Sequence, residues 1–347
     1  MLWEQDGDKC ILNKKYFFKM PRDWELSKVH PDILKMSEWL LYYPWKRNHL
    51  KGYTFTRRGG DGIGLLYSGG VDSVAAYLIL PKEKTRLIWN KEDQSNIKTG
   101  DLTNAQHAMN ETSKRDNIPI YEVLTNQHEI RTSYGLSAGY SSPFAVCVPA
   151  MLLADYLGLG YLSTGSILES IFFGPQGHAF RDYPNTRGYL ELFPKFEECG
   201  LKFIAPTFGI SEITTKSIVR RSHLSDIAQS CVSGTQIGVV CGKCIKCYRK
   251  GDAKFEDLPL SVQNRITHTK PPPMWSSLAQ RFSETGDWHG HPAVDISFLK
   301  NTIYPKALEL CQPFSESILK QLSHYGVYEM DLDEIEACEK FAYGETL

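Results

Sequence analysis

The sequence carries almost no net charge: 39 Lys and Arg stand against 40 Asp and Glu over 347 residues, a balance of −1. A balance so close to zero implies no bulk binding of a polyanion. No apolar run is long enough to span a bilayer, so no membrane partner is expected. Glu4, Asp6 and Asp8 stand where a secretion leader needs its apolar core, so no export signal is expected either. Internal repeats and low-complexity tracts are missing. So is Gly-x-x-x-x-Gly-Lys-Ser/Thr, the Walker-type phosphate loop. The cysteine count is odd, at nine, and four of them are clustered. That pattern excludes a disulfide framework and fits reduced thiols in a cytoplasmic protein.

What is present is the composition of a globular enzyme, 42% apolar and 23% charged, with length for roughly two domains. The charge is unevenly placed. Residues 1–60 hold 12 Lys/Arg against 7 Asp/Glu, and residues 251–347 hold 8 against 15. A solvated surface, or an interface between these two parts, is the expected use of that asymmetry.

The chain is organised around Leu65-Leu66-Tyr67-Ser68-Gly69-Gly70-Val71-Asp72-Ser73. Ile63 to Tyr67 reads as a buried strand and Val74 to Leu80 as a buried helix. A strand, a tight glycine turn and a helix present free backbone N–H groups and a positive dipole end to an anion. Gly69 and Gly70 allow close approach of a phosphate, and Ser68 and Ser73 add hydroxyl donors. Asp72 repels phosphate unless it holds a metal ion bound to that phosphate, or caps the helix.

Residues 1–60 read as an aromatic-rich extension folded onto the core, with helical spacing from Ile33 to Leu41 after Pro31. Residues 61–230 alternate. Strands are expected at Arg86–Asn90, Pro119–Leu124, Tyr161–Gly165 and Phe203–Pro206. Helices are expected at Asp101–Asn117, Val148–Leu157 and Ser211–Arg221. Such alternation implies an α/β domain: a parallel sheet with helices on both faces and a ligand site at the strand carboxyl ends. Ser68, Trp89-Asn90 and Gly165 fall at such ends. Lys270 to Trp275 reads as a stiff connector. The remaining region, 251–347, reads as mainly helical, with candidates at Ile303–Leu310, Phe314–Leu322 and Leu332–Ala342. His289 and His291 read as part of a polar loop, since no further ligand spacing supports a metal pair.

Cys231-x9-Cys241-x2-Cys244-x2-Cys247 defines a knuckle over 231–250. Four thiols with two Cys-x-x-Cys steps suit tetrahedral Zn²⁺, and an all-thiol site is closed and structural. Gly242 permits the tight turn, and Lys243, Lys246, Arg249 and Lys250 offset the thiolate charge.

Ser68-Gly69-Gly70-Val71-Asp72-Ser73 resembles the pyrophosphate loop of the N-type ATP pyrophosphatases. The cysteine pattern that follows makes the chain similar to the 7-cyano-7-deazaguanine synthase family of that group, over residues 62–250. Asp182-Tyr183-Pro184-Asn185-Thr186-Arg187, Thr215-Lys216-Ser217 and Ser230-Cys231 resemble further segments of that family. The resemblance implies a Rossmann-like, HUP-type sheet. It implies ATP and Mg²⁺ as cofactors and cleavage to AMP and pyrophosphate through an adenylated carboxylate or amide. It places ATP on Tyr67, Ser68, Gly69, Gly70, Asp72 and Ser73, with Trp89, Asn90 and Gly165 at the adenine and ribose. Lys216 would reach the pyrophosphate. Glu169, Asp182 and Arg187 are candidates for the acceptor, with Arg187, Asp72 and Lys216 as the catalytic set.

Departures concern the acceptor. The family's Val-Pro-x-Arg-Asn appears here as Val148-Pro149-Ala150-Met151-Leu152, and its Gly-Val-Asn-x-x-Asp as Gly165-Ser166-Ile167-Leu168-Glu169-Ser170. The ATP chemistry therefore carries over and the identity of the acceptor does not. The resemblance still implies a purine-like, 7-deazaguanine-like acceptor, with a protein or nucleic-acid acceptor and a homodimer left open. A rival reading is thiolation by Cys147, since related enzymes carry sulfur on a cysteine in this region and a helix N-terminus lowers a thiol pKa. Nitrogen attack on the adenylate is preferred. A non-catalytic nucleotide-binding module is the third reading.

Overall fold

Strand β4 (Gly62–Leu66) is buried at every residue, as a strand is when helices cover both its faces. The computed structural model describes residues 2–96, 100–173, 180–231, 233–268, 275–291 and 293–342. An antiparallel meander of β1 (Trp3–Asp6), β2 (Lys9–Leu12) and β3 (Tyr16–Lys19) comes first, then α1 (Pro31–Tyr42). After β4 come α2 (Val71–Ile79), β5 (Thr85–Glu92), α3 (Thr103–Asp116), β6 (Ile120–Thr125) and α4 (Val148–Leu152). Then follow β7 (Leu159–Thr164), α5 (Leu168–Ile171), α6 (Arg187–Glu198), β8 (Lys202–Ile204), α7 (Glu212–Arg220) and α8 (Ile245–Lys250). The C-terminal region is helical, with α9 (Leu260–His268), α10 (Trp275–Thr285), α11 (Lys306–Glu309), α12 (Ser315–His324) and α13 (Leu332–Ala342). Its two-residue strands β9 (Thr302–Ile303) and β10 (Tyr328–Glu329) pair in parallel.

The main sheet has eight strands in the order β1-β2-β3-β6-β5-β4-β7-β8. Strands β4 to β8 pair in parallel, and β3 joins β6 antiparallel through Phe18↔Thr125. Residues 1–60 therefore extend the same sheet. Side chains alternate between strand faces, and two apolar clusters follow from that alternation. Ile63, Leu65, Leu87 and Ile204 pack on one side with α2, α7 and α12. Leu66, Ile88, Leu162 and Phe203 pack on the other with α1, α4 and α6. The parallel strands run outward from β4 in both directions, first to β5 and β6, then to β7 and β8. The crevice beside the carboxyl end of β4 is where such a sheet binds ligands.

Two expected elements are corrected. The helix from Val148 ends at Leu152, where Trp24 Nε1 donates to the Leu152 carbonyl at 2.8 Å and takes the acceptor that another turn would need. The helix expected from Ile303 begins instead at Lys306, because Pro305 holds the residue before it out of helical backbone and Ile303 pairs in a strand. The sequence reading did not assign β1, β2, β3, α6, α9 or α10. The connector lies outside the described residues over 270–274, and Trp275, expected as its end, opens α10 instead. Among the described residues no helix is long and apolar enough to cross a membrane.

Candidate functional site

The loop after β4 is shaped by hydrogen bonds among its own small side chains. Ser73 Oγ donates to the Gly70 carbonyl at 2.9 Å and accepts from the Ser68 amide at 3.2 Å. Gly69 takes a left-handed φ of 71°, and a Cβ there would sit 2.6 Å from that of Ala108; glycine is the residue that meets both demands. The N-cap of α2 is Gly70, with no side chain capping the helix. The positive end of α2 is thus open to a ligand apart from the Val71 amide, which donates to Ser230 Oγ at 3.3 Å. Gly165, just past β7, lies against the first turn of α2, where a Cβ would come 2.6 Å from the Ser73 nitrogen.

This loop opens into a cavity of about 1010 Å³. Tyr67, Ser68, Gly70, Asp72, Ser73, Trp89, Asn90 and Gly165 all line it. They come from the ends of three neighbouring strands, β4, β5 and β7, and from the start of α2. Gly69 forms the turn but does not line the cavity. Trp89 is buried, with Lys91 Nζ 4.9 Å from its ring centre. Asn90 Nδ2 donates to Tyr140 Oη and to the Val146 carbonyl, both at 3.3 Å, while its Oδ1 is buried without a partner. The far wall adds Glu92, Tyr140, Phe144, Arg181 and Tyr183, none of which the sequence reading placed in the site. Arg181 stands next to the Asp182–Arg187 segment, the only sequence signal that could have found it.

Asp72 accepts from Thr215 Oγ1 at 2.7 Å. Burial, and then the neighbouring Glu212 charge, hold its carboxyl above the usual range, against the opposing pull of Lys250. The N-terminus of α7 brings in a second carboxylate. Glu169 accepts from the Glu212 amide at 3.0 and 3.2 Å and from Ser276 Oγ. Glu212 in turn accepts from Ser277 Oγ at 2.7 Å and pairs with Arg249 at 3.4 Å. Glu169 is therefore a buried cap of α7 and does not line the cavity.

Burial pushes Glu169 up to about 8. A carboxyl raised by folding contributes stability that is complete below its unfolded value, near 4.5, and is lost as pH rises through about 8. Wild-type stability should therefore fall across that interval relative to Glu169→Gln, with a slope of up to roughly 1.4 kcal/mol per pH unit. Urea denaturation of both proteins at pH 5, 6.5 and 8.5 tests this. A stability difference that does not change with pH would contradict it.

Several expected site residues stand elsewhere. Lys216 Nζ donates to the Lys250 carbonyl at 2.6 Å and does not line the cavity. Arg187 is exposed and paired with Glu191. Asp182 is exposed, accepts from Asn185 Nδ2 and lies 3.6 Å from Lys306 Nζ. Cys147 is fully buried behind Val146. The rival thiolation reading needs a thiol lowered by a helix end, but burial pushes it up; a helix as short as α4 does not offset that. His289 lies against Tyr248 Oη and Asp287, and His291 against the Ile266 carbonyl, as parts of an aromatic loop.

The four cysteines converge. The sulfurs of Cys231, Cys241, Cys244 and Cys247 all lie within 4.8 Å of one another. Sulfurs about 2.3 Å from one ion stand about 3.8 Å apart at tetrahedral corners. Cys247 Sγ lies 3.5, 3.7 and 3.8 Å from those of Cys244, Cys241 and Cys231. The cluster could bind a metal ion such as zinc. The intervening loop is tied to α3 by Asn104, which donates to the Gly234 carbonyl at 3.2 Å and accepts from the Gly238 amide at 2.9 Å. The cluster also touches the cavity, since Gln229, Ser230, Cys231 and Lys246 form part of its wall.

No curated protein matches the chain. Residues 191–264 match the model of a protein family described as a family of unknown function (DUF6395). The matched stretch runs from within α6 through β8, α7 and all four cysteines into α9.

Proposed function

We propose that this protein binds ATP in the cavity around residues 67–73 and splits it to AMP and pyrophosphate, activating a carboxylate or amide for attack by nitrogen. The observation that carries the reading is the placement of the Ser68–Ser73 loop. It joins the N-terminus of α2 to the carboxyl end of the central strand, on the wall of the cavity. The order of the parallel strands supports a Rossmann-like, HUP-type sheet. A volume of about 1010 Å³ is at the upper end for a single small ligand and suits a nucleotide with an acceptor beside it. Trp89, Tyr140, Phe144 and Tyr183 make the remaining wall fit for a flat, purine-like acceptor.

An oxygen of the acceptor attacks the α-phosphorus, the bond to the bridging oxygen breaks, and pyrophosphate leaves. Ser68, Gly70, Ser73 and the first amides of α2 receive the charge on the departing group. Asp72 is the carboxylate that would hold Mg²⁺, which supplies neutralising charge at the phosphates when bound. A nitrogen nucleophile then attacks the activated carbon, loses its proton and displaces AMP. Zn²⁺ fits the four thiols and has no open position for chemistry there.

Incubation with ATP and separation of the products by ion exchange tests the proposal. Equimolar AMP and pyrophosphate are expected. ADP and phosphate as the only products would sink it.

A further inference from the structure

The resemblance gave the pyrophosphate to Lys216, yet that ammonium is bonded to the carbonyl of Lys250 and does not line the cavity. The cation on the cavity wall nearest in sequence to the loop's outer partners is Lys246, on α8 between Cys244 and Cys247. Residues four apart share a helix face, so Lys246 and Lys250 project from the same side of α8. The direction of that side is fixed by Lys250, whose Nζ donates to Ser230 Oγ. The same Oγ accepts from the Val71 amide at 3.3 Å, at the first residue of α2. One residue earlier, the Gln229 amide donates to the Gly69 carbonyl at 3.1 Å. The cationic face of α8 is thereby turned toward the phosphate-loop end of α2. Among the described residues the Lys246 ammonium has no hydrogen-bond or ion-pair partner.

Both arms that reach the loop are ended by thiols of the cluster. Cys231 follows Ser230 directly, and Cys247 lies three residues before Lys250. An ion held by these two sulfurs clamps the Gln229–Ser230 arm to α8 and sets where Lys246 stands. We infer that Lys246 is the cation that receives the polyphosphate of ATP, and that the four-cysteine cluster is the mount that holds it there, so that metal loading and polyphosphate binding reinforce each other. Lys216 is then a positioning residue, which fixes the far end of α8 through the Lys250 carbonyl. The inference rests on the ATP reading above and adds to it a named cation and a role for the metal beyond folding.

The test is titration calorimetry with inorganic pyrophosphate on the full chain, with metal content and thermal midpoint measured alongside. Wild type should bind pyrophosphate. Lys246→Met should keep the metal and the midpoint, because the side chain is partly exposed and unpartnered, and should bind roughly 10- to 100-fold more weakly, the worth of one charge-assisted contact. Lys246→Arg should recover most of that loss, while Lys216→Met should weaken binding less than Lys246→Met. By reciprocity, saturating pyrophosphate should tighten the equilibrium zinc affinity, read by competition with a chromogenic chelator, in wild type and not in Lys246→Met. Wild-type affinity in a metal-loaded Lys246→Met protein would overturn the inference and leave the ATP reading standing. A wild-type protein that binds neither ATP nor pyrophosphate would remove both.

Discussion

Asp72→Asn should lower AMP formation by roughly 10²- to 10³-fold while leaving the protein at least as stable as wild type. The two effects separate because the residue serves two purposes. Its Oδ1 accepts from Thr215, and an amide oxygen accepts equally well. Its charge, however, is held in a half-buried setting beside Glu212, where the fold itself disfavours ionisation. Removing that charge relieves the fold and deprives the phosphate loop of the carboxylate that would hold Mg²⁺. Steady-state turnover and thermal melting on the same preparation check it. Asp72→Asn protein that turns over at the wild-type rate, or that melts well below it, would show that the carboxylate is there for packing.

The cysteine pair Cys244→Ser, Cys247→Ser should have the largest effect on the fold itself. About one metal equivalent in wild type should drop to near zero, and the melting midpoint should fall by at least about 10 °C. Cys247 is fully buried near the start of α8, where Tyr248 packs against Phe282 of α10 and Arg249 pairs with Glu212 of α7. With two ligands gone, the remaining sulfurs of Cys231 and Cys241 cannot fix that helix. Metal analysis of protein purified without chelator gives the answer. Wild-type metal content in the double variant would remove the four-thiol site.

The elements legible in the sequence were those whose signal is local. The apolar run before Ser68, the glycines after it and the two Cys-x-x-Cys steps each specify their geometry within ten residues or so. Strand–helix alternation from Gly62 to Arg221 likewise announced the parallel sheet. The meander β1–β3 did not read out because its strands have four residues each and one, Tyr16–Lys19, places three aromatics in a row. Helix α6 was hidden by an internal Pro194 and by Gly188 in its first turn. In the site, the failures are failures of direction. Glu169 looked like a substrate contact because it follows Gly165 closely, yet its partner is an amide at residue 212. Lys216 and Lys246 are both lysines on helices near the loop; which of them faces the cavity is decided by contacts with residues far away in the chain.

The pairing of Phe18 with Thr125 has a consequence for how the chain assembles. The aromatic meander precedes β6, its neighbour in the sheet among the described residues, by the whole of α1, β4, α2, β5 and α3. Emerging from a ribosome, it can meet α1 first, through Asn13 and Tyr42, but its partner in the sheet arrives only with β6. Closing that long loop is an entropic toll on the folding rate. Until it closes, β3 presents an unpaired edge with Tyr16, Phe17 and Phe18 on it, the kind of surface that chaperones shield.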